Sequence, residues 1–461
     1  MGIFKAYDIR GLVPSELNDE TARRIGFAFA KELQIELNAK SLVVGRDMRS
    51  HSPSLQKAAI DGIRDAGCHV IDIGLASTPM AYFAIGSIEC DGGMNITASH
   101  NGPKWNGFKL CRRGARPVSF DSGIGNIEKR VRSSDAMAPV TNRGTLRQEN
   151  VLQKYIQHLL KFAPNLKPGR VYVDAANGMA GLILPELSKE LAKKGVELVP
   201  MFWELDGNFP NHEANPLKPD IIEILAKEIR KEPGKFIMGA SFDGDADRCA
   251  FVDEAGAAIS NDLMTAMLAK ELLQKNGPAA IVYDLRSSWV VPETILQKGG
   301  RPIRERVGHS YIKETMRREN AIFGGELSGH YYWRDHFFSD SAMVAFMHVL
   351  QMLSNSKAPL SALANDLRRY HATGEINFEV EDKAKAMADL KHRFANEATR
   401  TDELDGITIE FGSIAKKPWW WFNVRASNTE PLLRLNLEAS DAALCTEKRN
   451  LLIPLLGKPV H

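Results

Sequence analysis

Three times in this chain a short apolar run ends on an acidic residue, a helix pattern follows, and a second apolar run returns. Ser41-Leu-Val-Val-Gly45 ends in Arg46-Asp47. Behind it Ser52 can cap a helix, Pro53 suits the first helical position, and Leu55, Ala59 and Ile63 share one face. Gly67 stops that helix and His69–Ile73 is the next strand. Val171–Val173 ends in Asp174, passes Asn177-Gly178 into a helix, and returns at Val196–Val199. Ala279–Tyr283 ends in Asp284, passes a helix near Val290–Leu296, and returns at Pro302–Val307. A strand–helix–strand unit forces parallel pairing and a right-handed crossover, so three units predict three α/β domains of one architecture.

The last stretch follows another plan. Ile407–Phe411, Trp419–Val424 and Leu432–Leu437 read as strands flanked by helices, a smaller α+β module. A chain of 461 residues is too long for one hydrophobic core. Boundaries are expected near residues 148, 255 and 367. They give α/β domains over 1–148, 149–255 and 256–367 and an α+β domain over 368–461.

Hydrophobic residues make up 44% and charged residues 25%, as in soluble globular proteins. A net charge of +2 gives no broad attraction to nucleic acid or membrane, so anions must be held by local clusters. The five cysteines (Cys68, Cys90, Cys111, Cys249 and Cys445) form no CxxC pair and read as buried free thiols in a reducing compartment. The N-terminus lacks an apolar core and no apolar run reaches about 18 residues, so a cytoplasmic location is expected.

Four stretches carry candidate chemistry. Phe242-Asp243-Gly244-Asp245-Ala246-Asp247-Arg248 follows the apolar run Phe236–Met238 and precedes Cys249–Val252. On an extended segment its three aspartates point to one side. They repel unless a cation neutralises them, and hard oxygen ligands suit Mg²⁺. Gly244 permits a tight bend. A solvated acidic turn is the alternative, which the two apolar flanks disfavour.

Thr97-Ala98-Ser99-His100-Asn101 follows the apolar end of the run Met94–Ala98, with Lys109 further on. Read alone it is a turn whose side chains bond their own backbone; its functional reading is a serine nucleophile among hydrogen-bond donors. No G-x-S-x-G elbow is present, which disfavours an α/β-hydrolase. Gly324-Gly325-Glu326-Leu327-Ser328-Gly329-His330 is a glycine-rich turn or a loop recognising a hydroxyl-rich ligand. Arg425-Ala426-Ser427-Asn428-Thr429-Glu430-Pro431 is a strand-to-turn junction or a phosphate cradle. Tyr7–Gly11 and Arg306–Ser310 are turns when read in isolation. Occurring in order, one per domain, the four stretches together describe phosphoryl transfer on a polyol, with Ser99 carrying the group. Such chemistry asks for positioning and electrostatics more than covalent activation.

The motifs TASHN, DGDADR, GGELSGH and RASNTEP closely resemble, in order and spacing and over essentially the whole chain, the α-D-phosphohexomutase family and its bacterial phosphomannomutase/phosphoglucomutase branch. The resemblance implies three similar α/β domains with mixed sheets plus a smaller α+β domain around a central cleft. It implies that Ser99 is the phosphorylated serine and that Asp243, Asp245 and Asp247 hold Mg²⁺ together with it. His100 and Arg248 then contact that phosphate, and Lys109 and His330 are the proton-transfer candidates. Glu326 and Ser328 match the pair that binds sugar hydroxyls. Arg425, Ser427, Asn428 and Thr429 match the loop holding the non-reacting phosphate, and Tyr7, Arg10 and His309 match further substrate contacts.

In Asp284-Leu-Arg-Ser-Ser this chain carries Arg286 where relatives carry a lysine, which keeps the charge and changes the donor geometry. Leu327 cannot hydrogen-bond an amino or acetamido group, which favours neutral hexoses. The implied activity interconverts hexose 1- and 6-phosphates through a phosphoserine enzyme and a 1,6-bisphosphate, with hexose 1,6-bisphosphate as activator. The implied partners are small-molecule hexose phosphates, without nucleic acid or membrane, and the implied state is a monomer or weak dimer. A phosphoglucosamine mutase and a metal-dependent sugar phosphatase are the alternatives.

Overall fold

The computed structural model describes residues 2–133, 137–427 and 432–460. The described residues form four sheets along the chain. The first has the order Ile9–Leu12, Trp105–Arg112, Gly92–Ile96, Ser41–Arg46, His69–Leu75, Leu146–Gln148, with Arg116–Pro117 beside Trp105–Arg112. Its four strands from Gly92–Ile96 to Leu146–Gln148 are parallel, and Trp105–Arg112 returns antiparallel. The second places Gly169–Asp174 between Val196–Met201 and Met238–Phe242, both parallel to it, then adds Cys249–Asp253 and Ala258–Ile259 antiparallel. The third repeats that plan, with Ala280–Asp284 between Arg301–Glu305 and Phe323–Gly325, then Tyr331–Trp333 and Ser339–Asp340. The fourth, built from strands between His371 and Val460, is antiparallel throughout. This is the α/β class with mixed sheets and a distinct C-terminal unit expected from the repeats.

The central strands are buried on both faces. All five residues of Gly92–Ile96 and all five of Met238–Phe242 are buried, which is why they read as continuous apolar or small-residue runs. Two local expectations are corrected. The strand before the aspartate motif begins at Met238 and runs directly into Asp243, rather than spanning Phe236–Met238. Ser52 is not a cap. It lies inside the helix Ser52–Asp65, and its hydroxyl donates to Asp47 Oδ1 at 2.5 Å.

One hydrophobic cluster runs through the first three units, and each also packs a cluster of its own, the largest around Phe29 and Phe108 of the first. Met80–Ile85 of the helix Thr78–Ser87 packs in the same cluster as Ile183 and Phe242 of the second unit and Tyr331 and Phe346 of the third. That helix has no polar face because protein covers it all round. The fourth unit has a separate core, including Phe378, Ile409, Phe422 and Leu452. It meets the third through Trp289 stacked on Trp419 at 4.4 Å and through Arg304, which pairs with Asp402 and with Glu410 at 2.9 Å. All five cysteines are free and buried. Among the described residues no helix is long and apolar enough to cross a membrane.

Candidate active site

In each α/β unit the connection from the last parallel strand to its antiparallel neighbour carries one motif. Ser99 lies between Gly92–Ile96 and Trp105–Arg112, the aspartates between Met238–Phe242 and Cys249–Asp253, and Glu326–His330 between Phe323–Gly325 and Tyr331–Trp333. The three loops meet at one point. Ser99 Oγ donates to Asp243 Oδ2 at 3.2 Å, and Arg248 pairs with His330 as an isolated antiparallel bridge.

Ser99 is buried and sits at φ +51°, a conformation uncommon for a residue with a side chain. Its N–H donates to Thr97 Oγ1 at 3.0 Å and its hydroxyl lies 3.1 Å from His100 Nδ1. The strained loop is held by Arg49, which the sequence reading missed. Buried, and paired with Asp47 at 3.1 Å, Arg49 donates to the carbonyls of Ser99 at 2.9 Å, Asn101 at 2.6 Å, Gly102 at 2.8 Å and Trp105 at 3.2 Å. The lone polar tract after Arg46 was its only signal, since nothing local shows that Arg49 reaches residues some fifty positions away.

The three aspartates do not alternate along a strand. They converge through a turn in which Ala246 N–H donates to Asp243 O at 3.1 Å, and Ala246, not Gly244, takes the positive φ of +60°. Gly244 serves close approach instead, because a Cβ there would lie 2.4 Å from Ser99 O. All three carboxylates are fully buried. Thr78 Oγ1 donates to Asp245 Oδ2 at 2.6 Å, and Lys109 Nζ lies 2.8 Å from Asp245 Oδ2 and 2.5 Å from Asp247 Oδ2. Burial works against the Lys109 ammonium, but Asp245 and Asp247 outweigh it and raise its pKa. Asp243 is raised well above the usual carboxylate range by burial and by its two neighbouring carboxylates.

One ligand oxygen from each aspartate lies within 4.8 Å of the others. Asp245 Oδ1 and Asp247 Oδ1 are buried without a hydrogen-bond partner. Buried, acceptor-only oxygens that converge in this way fit a hard divalent cation.

Arg248 Nε donates to His330 Nε2 at 3.0 Å, so the hydrogen-bond pattern puts the imidazole proton on Nδ1, which faces Asp340 Oδ2 at 3.1 Å. Asp340 is itself held at 2.6 Å by the fully buried Lys313. Neither Asp340 nor Lys313 was read from the sequence. His100 is half-buried, and desolvation followed by Arg248 and Arg10 holds its imidazolium pKa well below the ordinary value.

The remaining predicted residues surround this centre. Arg10 pairs with Asp8 and Asn101. Tyr7 packs edge-on to His309 at 5.5 Å, and His309 lies 6.4 Å from the His330 ring. Glu326 is buried, accepts from Gly308 N–H at 3.2 Å and from Tyr332 Oη at 2.5 Å, and Ser328 is half-buried beside it. Arg286 is fixed by Asp284 at 2.6 Å, while Asp284 also accepts from Leu327 N–H at 2.8 Å, tying Arg286 to the glycine-rich loop. Arg425 is the last residue but one of the strand Lys416–Ala426 in the fourth unit, with Ser427 just beyond. Asn428 and Thr429 lie outside the described residues.

Residues 1–137, 153–256 and 260–370 match the alpha/beta/alpha domains I, II and III of phosphoglucomutase/phosphomannomutase, and residues 375–450 match its C-terminal domain. The chain is 39% identical over 98% of its length to a phosphomannomutase of Escherichia coli, of which it covers 98%. It is 40% identical over 96% of its length to phosphohexose mutases of Xanthomonas campestris, covering 96% of that protein. Its structure superposes on a phosphoglucomutase/phosphomannomutase family protein of Burkholderia thailandensis with a TM-score of 0.88 at 31% identity, covering 99% of this chain and 98% of the other. With all four domains matched in order and relatives similar from end to end, the chain belongs to the phosphoglucomutase/phosphomannomutase family.

Proposed function

We propose that this enzyme is a phosphomannomutase/phosphoglucomutase that moves a phosphoryl group between O1 and O6 of a hexose by way of Ser99. The observation that carries the reading is the Ser99 hydroxyl, 3.2 Å from a buried aspartate cluster and flanked by Arg248, Lys109 and His330. A phosphatase would need the cluster and the serine but not the outer ring of Glu326, Ser328, Arg286 and Arg425.

In the first step the bond from phosphorus to Ser99 Oγ breaks as a bond to the sugar hydroxyl oxygen forms. The sugar proton passes to His330 Nε2, whose lone pair becomes available as Arg248 turns toward the phosphoryl oxygens. Lys109, 2.8 Å from Asp245 and 2.5 Å from Asp247, stands where it can neutralise and position the transferred group. Asp243, Asp245, Asp247 and phosphorylated Ser99 would hold Mg²⁺, which supplies charge neutralisation for the transferred group. His100 and Arg248 steady the phosphoryl oxygens, and Glu326 and Ser328 accept and donate to sugar hydroxyls. Arg425 and Ser427, with Asn428 and Thr429, grip the phosphate that does not react. The 1,6-bisphosphate then turns over, its other phosphate returns to Ser99, and added bisphosphate serves as activator by phosphorylating the serine.

Leu327, which cannot hydrogen-bond an amino group, favours neutral hexose phosphates over glucosamine phosphate. Five free buried cysteines fit a cytoplasmic setting. The test is Ser99→Ala, compared with wild type on mannose 1-phosphate, glucose 1-phosphate and glucosamine 1-phosphate while labelled phosphate is traced into the polypeptide. The variant should fold, take up no label and lose turnover. Turnover without label passing through residue 99 would overturn the scheme.

A further inference from the structure

Three guanidinium groups from two units converge on one carboxylate. Glu375 Oε2 lies 3.3 Å from Arg425 Nη2 and 3.6 Å from Arg286 Nη1, and its Oε1 lies 2.9 Å from Arg434 Nη1. Arg286 and Arg425 are nearly fully buried and each keeps a buried Nε without a hydrogen-bond partner, so the cluster has donor capacity that one carboxylate does not use. Glu375 itself is a quarter exposed and therefore reachable from solvent.

The backbone puts it there. The pairing of His371–Glu379 with Leu432–Ala439 steps from Ala372 opposite Glu438 to Glu375 opposite Asn436. The extra residue makes a bulge at Thr373-Gly374, where Gly374 takes φ +69°. A bulge re-aims the side chain that follows it. Here it brings an acid against Arg425, which the proposed function assigns to the non-reacting phosphate, and against Arg286 and Arg434 beside it.

We propose that Glu375 is a resident anion of the distal phosphate site: it occupies the arginine cluster when no ligand is bound, and a phosphate monoester binds by displacing it. A dianion with three oxygens outcompetes a carboxylate for guanidinium donors, so the exchange favours ligand. The resident acid nevertheless subtracts from phosphate affinity, because only the fraction of molecules with Glu375 displaced is competent. It also keeps Arg425 charge-compensated at the moment the bisphosphate lets go to turn over, while Arg286 stays paired with Asp284.

The proposal rests on the assignment of the Arg425 loop to the non-reacting phosphate, and the test separates the two. Inorganic phosphate is the probe, read both as an inhibitor of the mutase and by the rise in Tm it produces in the enzyme. Glu375→Gln should tighten phosphate and lower KM for glucose 1-phosphate together, each by about tenfold if the competent fraction is near one in ten. Its Tm without phosphate should fall, and the rise on adding phosphate should exceed that of wild type. Glu375→Asp, which keeps the charge on a shorter arm, should fall between the two and serves if the first variant folds poorly. Phosphate affinity unchanged or weaker in both variants, while Arg425→Ala weakens it, would overturn the resident-anion proposal and leave the phosphate assignment standing. Phosphate affinity unchanged in Arg425→Ala would overturn the assignment and the proposal with it.

Discussion

Gly244→Ala tests how closely the aspartate loop must approach the serine loop. A Cβ at residue 244 would stand 2.4 Å from the carbonyl oxygen of Ser99, whereas real Cβ contacts essentially never fall below 3.0 Å. The two loops must therefore part by at least about 0.6 Å, and neither partner is a flexible side-chain tip. Ser99 O is fixed from behind by Arg49 Nη2 at 2.9 Å, so the opening falls on the gap between Ser99 Oγ and Asp243. A displacement of about 1 Å in such a constellation costs about a hundredfold in rate, so a loss of roughly ten- to a hundredfold in kcat is expected here. The assay is the initial mutase rate on glucose 1-phosphate with saturating bisphosphate and Mg²⁺, alongside thermal unfolding to show that the variant is folded. Gly102→Ala is the control, since a Cβ there meets nothing within 4 Å and the substitution sits in the serine loop that Gly244 approaches. Wild-type kcat in Gly244→Ala would show that the contact between the two loops is dispensable and would refute the argument.

Three other outcomes follow from the geometry. Excess EDTA should reduce turnover at least tenfold and Mg²⁺ should restore it, because Lys109 and Arg248 alone do not balance three buried carboxylates facing a phosphoryl group; an unchanged rate would place the cation elsewhere. Arg49→Ala leaves Asp47 buried without its partner and should cost about 3–5 kcal/mol in denaturant unfolding, with kcat falling as the serine loop loses its brace. Glu438, buried between Trp289 N–H at 2.9 Å and Trp421 Nε1 at 3.0 Å, has its pKa raised to about 7 by burial. Its folded pKa exceeds the unfolded one, so it costs stability as pH climbs from about 4.5 through 7; Glu438→Gln should remove that loss, gaining up to about 3 kcal/mol over wild type at pH 8 in unfolding titrations.

The three-fold repeat was legible because each unit announces itself locally: a buried strand, an acid at its end, a helix signal, and a return. The motif loops were legible for the same reason, as polar tracts set between apolar runs. Their internal geometry was not. Period-2 reasoning put the aspartates on one side of a strand, whereas a turn centred on Ala246 gathers them, and the glycine that looked like a hinge is a clearance. The supporting residues were the least visible. Arg49, Asp340, Lys313 and Glu375 act across large sequence separations, and none lies in a tract whose pattern distinguishes it from an ordinary surface ion pair. Asp340, for instance, sits in a two-residue strand and acquires its role only from the Lys313 and His330 packed against it.

The division of the apolar interior has a calorimetric consequence. Because one continuous cluster runs through the first three sheets, nothing separates them into independently melting pieces. The fourth sheet carries its own interior and touches the rest through an indole stack and ion pairs. Heating should thus yield two endotherms of unequal size, the smaller one belonging to the segment that holds Arg425. That segment can loosen its grip on a departing ligand while the machinery around Ser99 stays solid.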